Sequence, residues 1–174
     1  MTVVAAETTQ DDSRDTNDYT VGQSFSPSID CTLDSFEIWV LNNTGSSRGL
    51  KLRYGISTNL TTTYIEEIVV TGIADGVNTW VTFTSVGKGT LSTATTYYIA
   101  VGRNATETCY CGIATTGSYA GGSYWYDDTP GAWVIDINVS GRDLTFRVNG
   151  TAVSTGATQI INILNAGYGR RRIH

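Results

Sequence analysis

The sequence predicts an all-β fold: an antiparallel, jelly-roll-like β-sandwich with extended N- and C-terminal arms. Three observations predict it. Apolar residues recur with a period of two along nearly the whole chain. The alternating runs are short and bounded by Gly, Asn, Asp or Ser/Thr clusters. Strong helix formers never assemble into an amphipathic window, and the best helical stretch, "SYAGGSYW", is broken by its own glycines.

Taken in order, "DYTVGQSF" reads as the opening strand. "LDSFEIWVL" sets Leu33, Phe36, Ile38 and Val40 close to alternation, with Trp39 and Leu41 on the other face. "GLKLRYGI" alternates Leu50, Leu52, Tyr54 and Ile56 against Lys51 and Arg53. "YIEEIVV", "NTWVTFT", "TTYYIAV" and "TCYCGIA" continue the pattern, "GAWVIDI" reads as a late strand, and "DLTFRVNG" closes the series. Between them, "DDTPG" is a turn, a polar cluster ended by Pro-Gly. Eight or more short strands without intervening helices predict an antiparallel sandwich. The organisation read from this is an N-terminal arm over residues 1–18, a β-sandwich domain over residues 19–150, and a C-terminal arm with a basic tail over residues 151–174.

Composition narrows the function classes. Charged residues make up only 16% of the chain, with Thr, Ser and Gly in their place, as on outward strand faces that carry hydroxyls instead of ions. The net charge of −5 is unevenly spread: without Arg170, Arg171 and Arg172, eight basic residues face sixteen acidic ones, a balance of −8. An acidic body repels phosphate backbones, which argues against a nucleic-acid partner. No apolar run approaches a membrane span and "MTVVAAETTQDD" lacks the pattern of a signal peptide, so the expectation is a soluble chain with no membrane partner.

The candidate chemistry is thin. Cys109 and Cys111 stand two apart and share one strand face, which reads as buried thiols, and with Cys31 they are too few for a disulfide framework or a zinc site. His174 is the only histidine, so no nucleophile has a buried, oriented base. Glu66 and Glu67 are adjacent on a strand and point to opposite faces, so they do not converge as a glycosidase pair. Asp127 and Asp128 alone are weak calcium ligands, and no phosphate loop or dinucleotide fingerprint is present. The expectation is a non-enzyme with no catalytic residues, metal or cofactor.

Two features point to binding. Tyr119, Tyr124, Trp125, Tyr126 and Trp133 fall within fifteen residues, interleaved with Gly, Ser and Asp. Alternate members can fill the core while the others form an interface, or stack on the C–H faces of a sugar. In the C-terminal arm, "TQIINIL" supplies Ile160, Ile161, Ile163 and Leu164, suited to an extended strand added to a sheet edge, and Arg170, Arg171 and Arg172 follow.

The stretches "VGQSFSPSIDCTLDSFEIWV", "NTWVTFTSVGKGTLSTATTYYIAV", "YAGGSYWYDDTPGAW" and "DLTFRVNG" resemble the jelly-roll or Ig-like β-sandwich accessory modules of bacterial surface proteins and bacteriophage structural proteins. The resemblance covers roughly residues 19–150. It implies a non-catalytic role in adhesion, carbohydrate binding or decoration of a larger particle. A nearly standalone sandwich with two arms is similar in layout to a phage capsid decoration (cement) protein. That layout implies a homotrimer or similar ring on the exterior of a virion, made in the host cytoplasm and bound to a capsid shell protein and to copies of itself. The alternative it implies is a lectin-like module for a polysaccharide, bound through Tyr124, Trp125, Tyr126 and Trp133.

Overall fold

The computed structural model describes residues 1–16, 19–104, 109–116, 119–129, 132–135 and 137–153. Among them the chain forms strands β1 (Thr2–Glu7), β2 (Asp12–Asp15), β3 (Thr20–Phe25), β4 (Cys31–Asn42), β5 (Arg48–Gly55), β6 (Tyr64–Ile73) and β7 (Val77–Thr84). There follow β8 (Thr90–Leu91), β9 (Tyr97–Arg103), β10 (Tyr110–Ala114), β11 (Tyr124–Asp127), β12 (Ile137–Val139), β13 (Asp143–Leu144) and β14 (Phe146–Ala152). They make two antiparallel sheets packed face to face, the predicted sandwich.

The first sheet is organised around β4, whose twelve residues bury Phe36, Ile38 and Val40 on one face and turn Glu37, Trp39 and Leu41 outward. One flank of β4 carries β14 along residues 31–38 and then β10, and the other carries β7 along residues 35–42 and then β8. The second sheet runs β12-β11-β3-β9-β5-β6. Its inward residues Val21, Phe25, Leu50, Leu52, Tyr54, Ile99 and Val101 meet those of β4, β10 and β14 in one core. Phe25 lies at its centre, with Tyr97 stacked at 5.6 Å and Phe36 edge-on at 6.1 Å.

A second, smaller core lies on the outer face of the second sheet. Leu60, Ala100, Trp133 and Ile135 form it, with Tyr98 and Trp125 packed beside them. Two loops are clipped together there: the Leu60 N–H donates to the Trp133 carbonyl at 2.7 Å and the Ile135 N–H to the Thr58 carbonyl at 3.0 Å. Glycine makes the space. A Cβ on Gly22 would sit 2.7 Å from Ile135 Cδ1, and one on Gly102 would sit 3.2 Å from the Trp133 ring.

This arrangement corrects the strand expected over "GAWVIDI". Trp133 and Ile135 belong to a loop laid across the sheet, Val134 makes an isolated bridge to Asn59, and regular pairing starts only at Ile137. The turn read at "DDTPG" also starts one residue later, because Asp127 is the last residue of β11. Residues 1–16, read as an arm, are extended but lie along the body. β1 pairs with β14 and β2 with β10. Val4, Ala5 and Glu7 are buried there, which ties the segment to the sheet. Residues 154–174 lie outside the described residues.

Candidate interaction surface

The five clustered aromatics do not share a surface. On β11 the pleat divides them: Tyr124 is fully buried in the main core, Tyr126 packs beside it, and Trp125 points the other way onto the smaller core. Tyr126 meets Tyr19 edge-on at 5.7 Å, and the Arg14 guanidinium lies 4.3 Å over Tyr19 and 5.2 Å from Tyr126. Trp125 is edge-on to Tyr98 at 6.3 Å. Trp133 is only 8% exposed, with the Arg53 guanidinium 4.5 Å over its ring. Tyr119 caps Phe146 at 5.2 Å from the far side of the core. A stacking platform for a sugar needs exposed ring faces, and Tyr124 and Trp133 offer none. The arm residues Ile160, Ile161, Ile163, Leu164, Arg170, Arg171 and Arg172 lie outside the described residues.

Ionisable groups are spent on local structure. Asp30 accepts from the Thr93 N–H and hydroxyl at 2.7 and 3.0 Å, Asp11 from the Thr115 N–H, Asp75 from the Gly45 N–H and Asp127 from the Thr129 N–H. Glu66 and Glu67 do part to opposite faces: Glu66 holds the loop after β7 through Ser85, Val86 and Gly87, while Glu67 pairs with Arg53 at 2.6 Å and Lys51 at 3.7 Å. Cys31, Cys109 and Cys111 are buried, none in a disulfide, and burial pushes the Cys31 and Cys111 thiols up. Among the described residues no group of three or more His, Cys, Asp or Glu gathers as metal ligands would.

One polar pocket of about 250 Å³ is lined by Tyr119, Ser123, Asn138, Ser140, Arg142 and Asp143. Asp143 lies at its buried end. Burial raises its pKa, although its oxygens accept from Gln23 Nε2 at 2.9 Å and the Tyr119 N–H at 3.1 Å. Both oxygens are thus engaged in holding the two sheets and the loop before β11.

Several exposed apolar side chains stand on or beside one strand, β6. Among the described residues β6 is the last strand of the second sheet and pairs only with β5, so its far edge has no strand partner there, although the Ile73 carbonyl at its end accepts from Asn42 Nδ2 at 2.8 Å. Along it stand Ile65, 53% exposed, Val69, Tyr64 and, just beyond β5, Ile56. Val86, 87% exposed, lies on the Glu66 side of the strand, where the Glu66 carboxylate accepts from the Val86 N–H at 2.7 Å, whereas Val69 lies on the Glu67 side. Natural sheets usually blunt such edges with charge, proline or a covering loop, and β6 carries Glu66 and Glu67 at its middle. The sequence signal was present in "YIEEIVV", which is apolar on both faces at Tyr64-Ile65 and at Val69-Val70. A strand buried on one face only would alternate.

A second feature that periodicity did not single out is the Trp39–Trp80 cross-strand pair on the outer face of the first sheet, edge-on at 5.4 Å. Trp39 Nε1 donates to Asn78 Oδ1 at 2.9 Å, and Arg147 lies 3.9 Å over Trp80 while pairing with Glu37 at 3.5 Å.

Compared with known families, curated proteins and solved structures, the chain matches none.

Proposed function

We propose that the chain is a non-catalytic structural protein of a virion, decorating the outer surface of a phage capsid through its sandwich and its C-terminal arm. The observation that carries the reading is the open β6 edge with its exposed Tyr64, Ile65 and Val69. Such an edge accepts a further strand by main-chain hydrogen bonds, with apolar contacts on alternate residues. "TQIINIL" has the composition of the strand that would be added.

In this reading Arg170, Arg171 and Arg172 pair with carboxylates of the shell or of an adjacent copy. A desolvated, bidentate Arg–carboxylate contact contributes a few kcal/mol, and a solvated one much less. Many copies on one shell turn modest single-site affinity into firm attachment. The lectin-like alternative is less well supported, because two of the four aromatics it needs are buried.

The test is fractionation of phage particles on a density gradient, with the full chain and with a chain lacking residues 158–174. The full chain should travel with intact heads and be reached there by antibody, and the shortened chain should stay behind. A shortened chain that saturates the same heads, or a full chain that never joins them, contradicts the proposal.

A further inference from the structure

The polar pocket beside β12 and β13 is built by the fold but only partly used by it. Hydrogen bonds fix its walls. The stretch before β11 is pinned to β3, where the Ser24 N–H donates to the Ser123 carbonyl at 2.9 Å and the Ser123 N–H to Ser24 Oγ at 2.8 Å. Gly122 allows that approach, since a Cβ there would overlap the Ser24 carbonyl. On the other side Gly141 turns the chain from β12 toward β13 with a φ of 75°, which glycine adopts without strain. At the buried end Asp143 holds Gln23 Nε2 and the Tyr119 N–H, and Gln23 Oε1 in turn accepts from the Leu144 N–H at 2.9 Å. A cavity held in this way is formed before a ligand arrives, so binding has little ordering to do.

The uncommitted groups define the ligand. Among the described residues Arg142 forms no ion pair, and the side chains of Ser123, Asn138 and Ser140 make no hydrogen bond. A carboxylate offers about four acceptor sites, and Asp143 uses two of them within the fold. An apolar ligand would strand this lining, in which only Tyr119 and Val139 are apolar. A bare anion suits Arg142 but has no hydrogen to give Asp143. An amino acid answers the two charges and leaves the serines and the asparagine to water. Every group is matched by a ligand with one carboxylate, for the Arg142 fork, and several hydroxyls that both donate and accept. The volume of about 250 Å³ lies below the ~300–1,000 Å³ usual for drug-sized ligands, which leaves room for a single ring.

We propose that this pocket binds one saccharide unit bearing a carboxylate, a hexuronic acid residue. Arg142 pairs with the carboxylate, and Asp143, Asn138, Ser123 and Ser140 take the ring hydroxyls. None of Tyr124, Trp125, Tyr126 and Trp133 lines the pocket, so the site is separate from the one that the lectin-like alternative requires. It does not rest on the capsid reading either.

The experiment is calorimetric titration of the full chain with the methyl glycosides of glucuronic, galacturonic and mannuronic acid. At least one should bind with a Kd on the order of 1 mM, the strength that ordinary ligand efficiencies give one ring. Methyl glucoside, sodium acetate and glycine should each bind about tenfold more weakly or worse, for want of either the carboxylate or the hydroxyls. Arg142→Gln should weaken the acid glycoside about tenfold, and Arg142→Lys, which keeps the charge without the fork, should fall between the two. Asn138→Ala should weaken it severalfold. Neither side chain is bonded within the fold, so these variants should keep the wild-type thermal transition, and if Arg142→Gln melts early the other two carry the test. Failure of all three acids to bind would overturn the proposal. So would methyl glucoside, acetate or glycine binding as tightly as an acid glycoside, or an affinity unchanged by the substitutions. The titration uses the isolated chain, so its outcome is independent of particle binding in the gradient.

Discussion

Gly22, on β3, lies directly beneath the smaller core. A Cβ there would meet the Ile99 carbonyl oxygen at 2.5 Å as well as Ile135 at 2.7 Å, and the backbone atom cannot turn aside. Gly22→Ala should therefore cost about 3 kcal/mol, the upper range for overpacking, measured as a lowered urea midpoint. Tyr54 presents the opposite case. Its hydroxyl is buried without a hydrogen-bond partner, and burial first, then Glu66, pushes its pKa up to about 12. Removing an unpartnered polar atom is neutral or stabilising, so Tyr54→Phe should keep or raise stability by up to ~1 kcal/mol at neutral pH. The sign of the pH effect follows from linkage. An unfolded tyrosine ionises near pH ~10 and the folded one only near 12, so the wild type loses stability as pH rises through that window. The margin of Tyr54→Phe over wild type should widen between pH 9 and pH 11 in urea melts. A margin independent of pH would show that Tyr54 does not titrate with unfolding.

Single elements show where the sequence was legible. Strands with one buried face declared themselves: β4, β5, β7 and β9 were all read from alternation, with Phe36, Ile38, Leu50 and Leu52 correctly inward. β1 was read as an arm because its pattern is broken. The register shifts between Val3 and Ala5, so Val4 and Ala5 are both buried and the period of two is lost. β2 has no apolar residue at all, and its pairing with β10 is a main-chain matter. The loop carrying Trp133 looked like a strand because its apolar residues serve a second core, whose existence depends on space above Gly22 and Gly102 on distant strands. The β6 surface was half legible. Its strand was read, but an open edge is a property of sheet order, which no local pattern carries. A deletion of residues 1–8 tests the placement of β1. A free arm would be lost silently, whereas β1 should take about 3 kcal/mol or more with it through Val4, Ala5 and the β14 ladder. Thermal unfolding of the shortened chain is the measurement.

At the scale of the molecule, the sandwich engages many of its carboxylates in its own loops and leaves apolar side chains exposed on and beside β6. In the capsid reading the tail arginines should make particle attachment salt-sensitive. The measurement that tests the account most directly is the gradient fractionation of phage particles with the full chain and with the chain lacking residues 158–174, at low and high salt. The account predicts the full chain on intact heads, released as salt rises, and the shortened chain left behind. A shortened chain that saturates the same heads would contradict it.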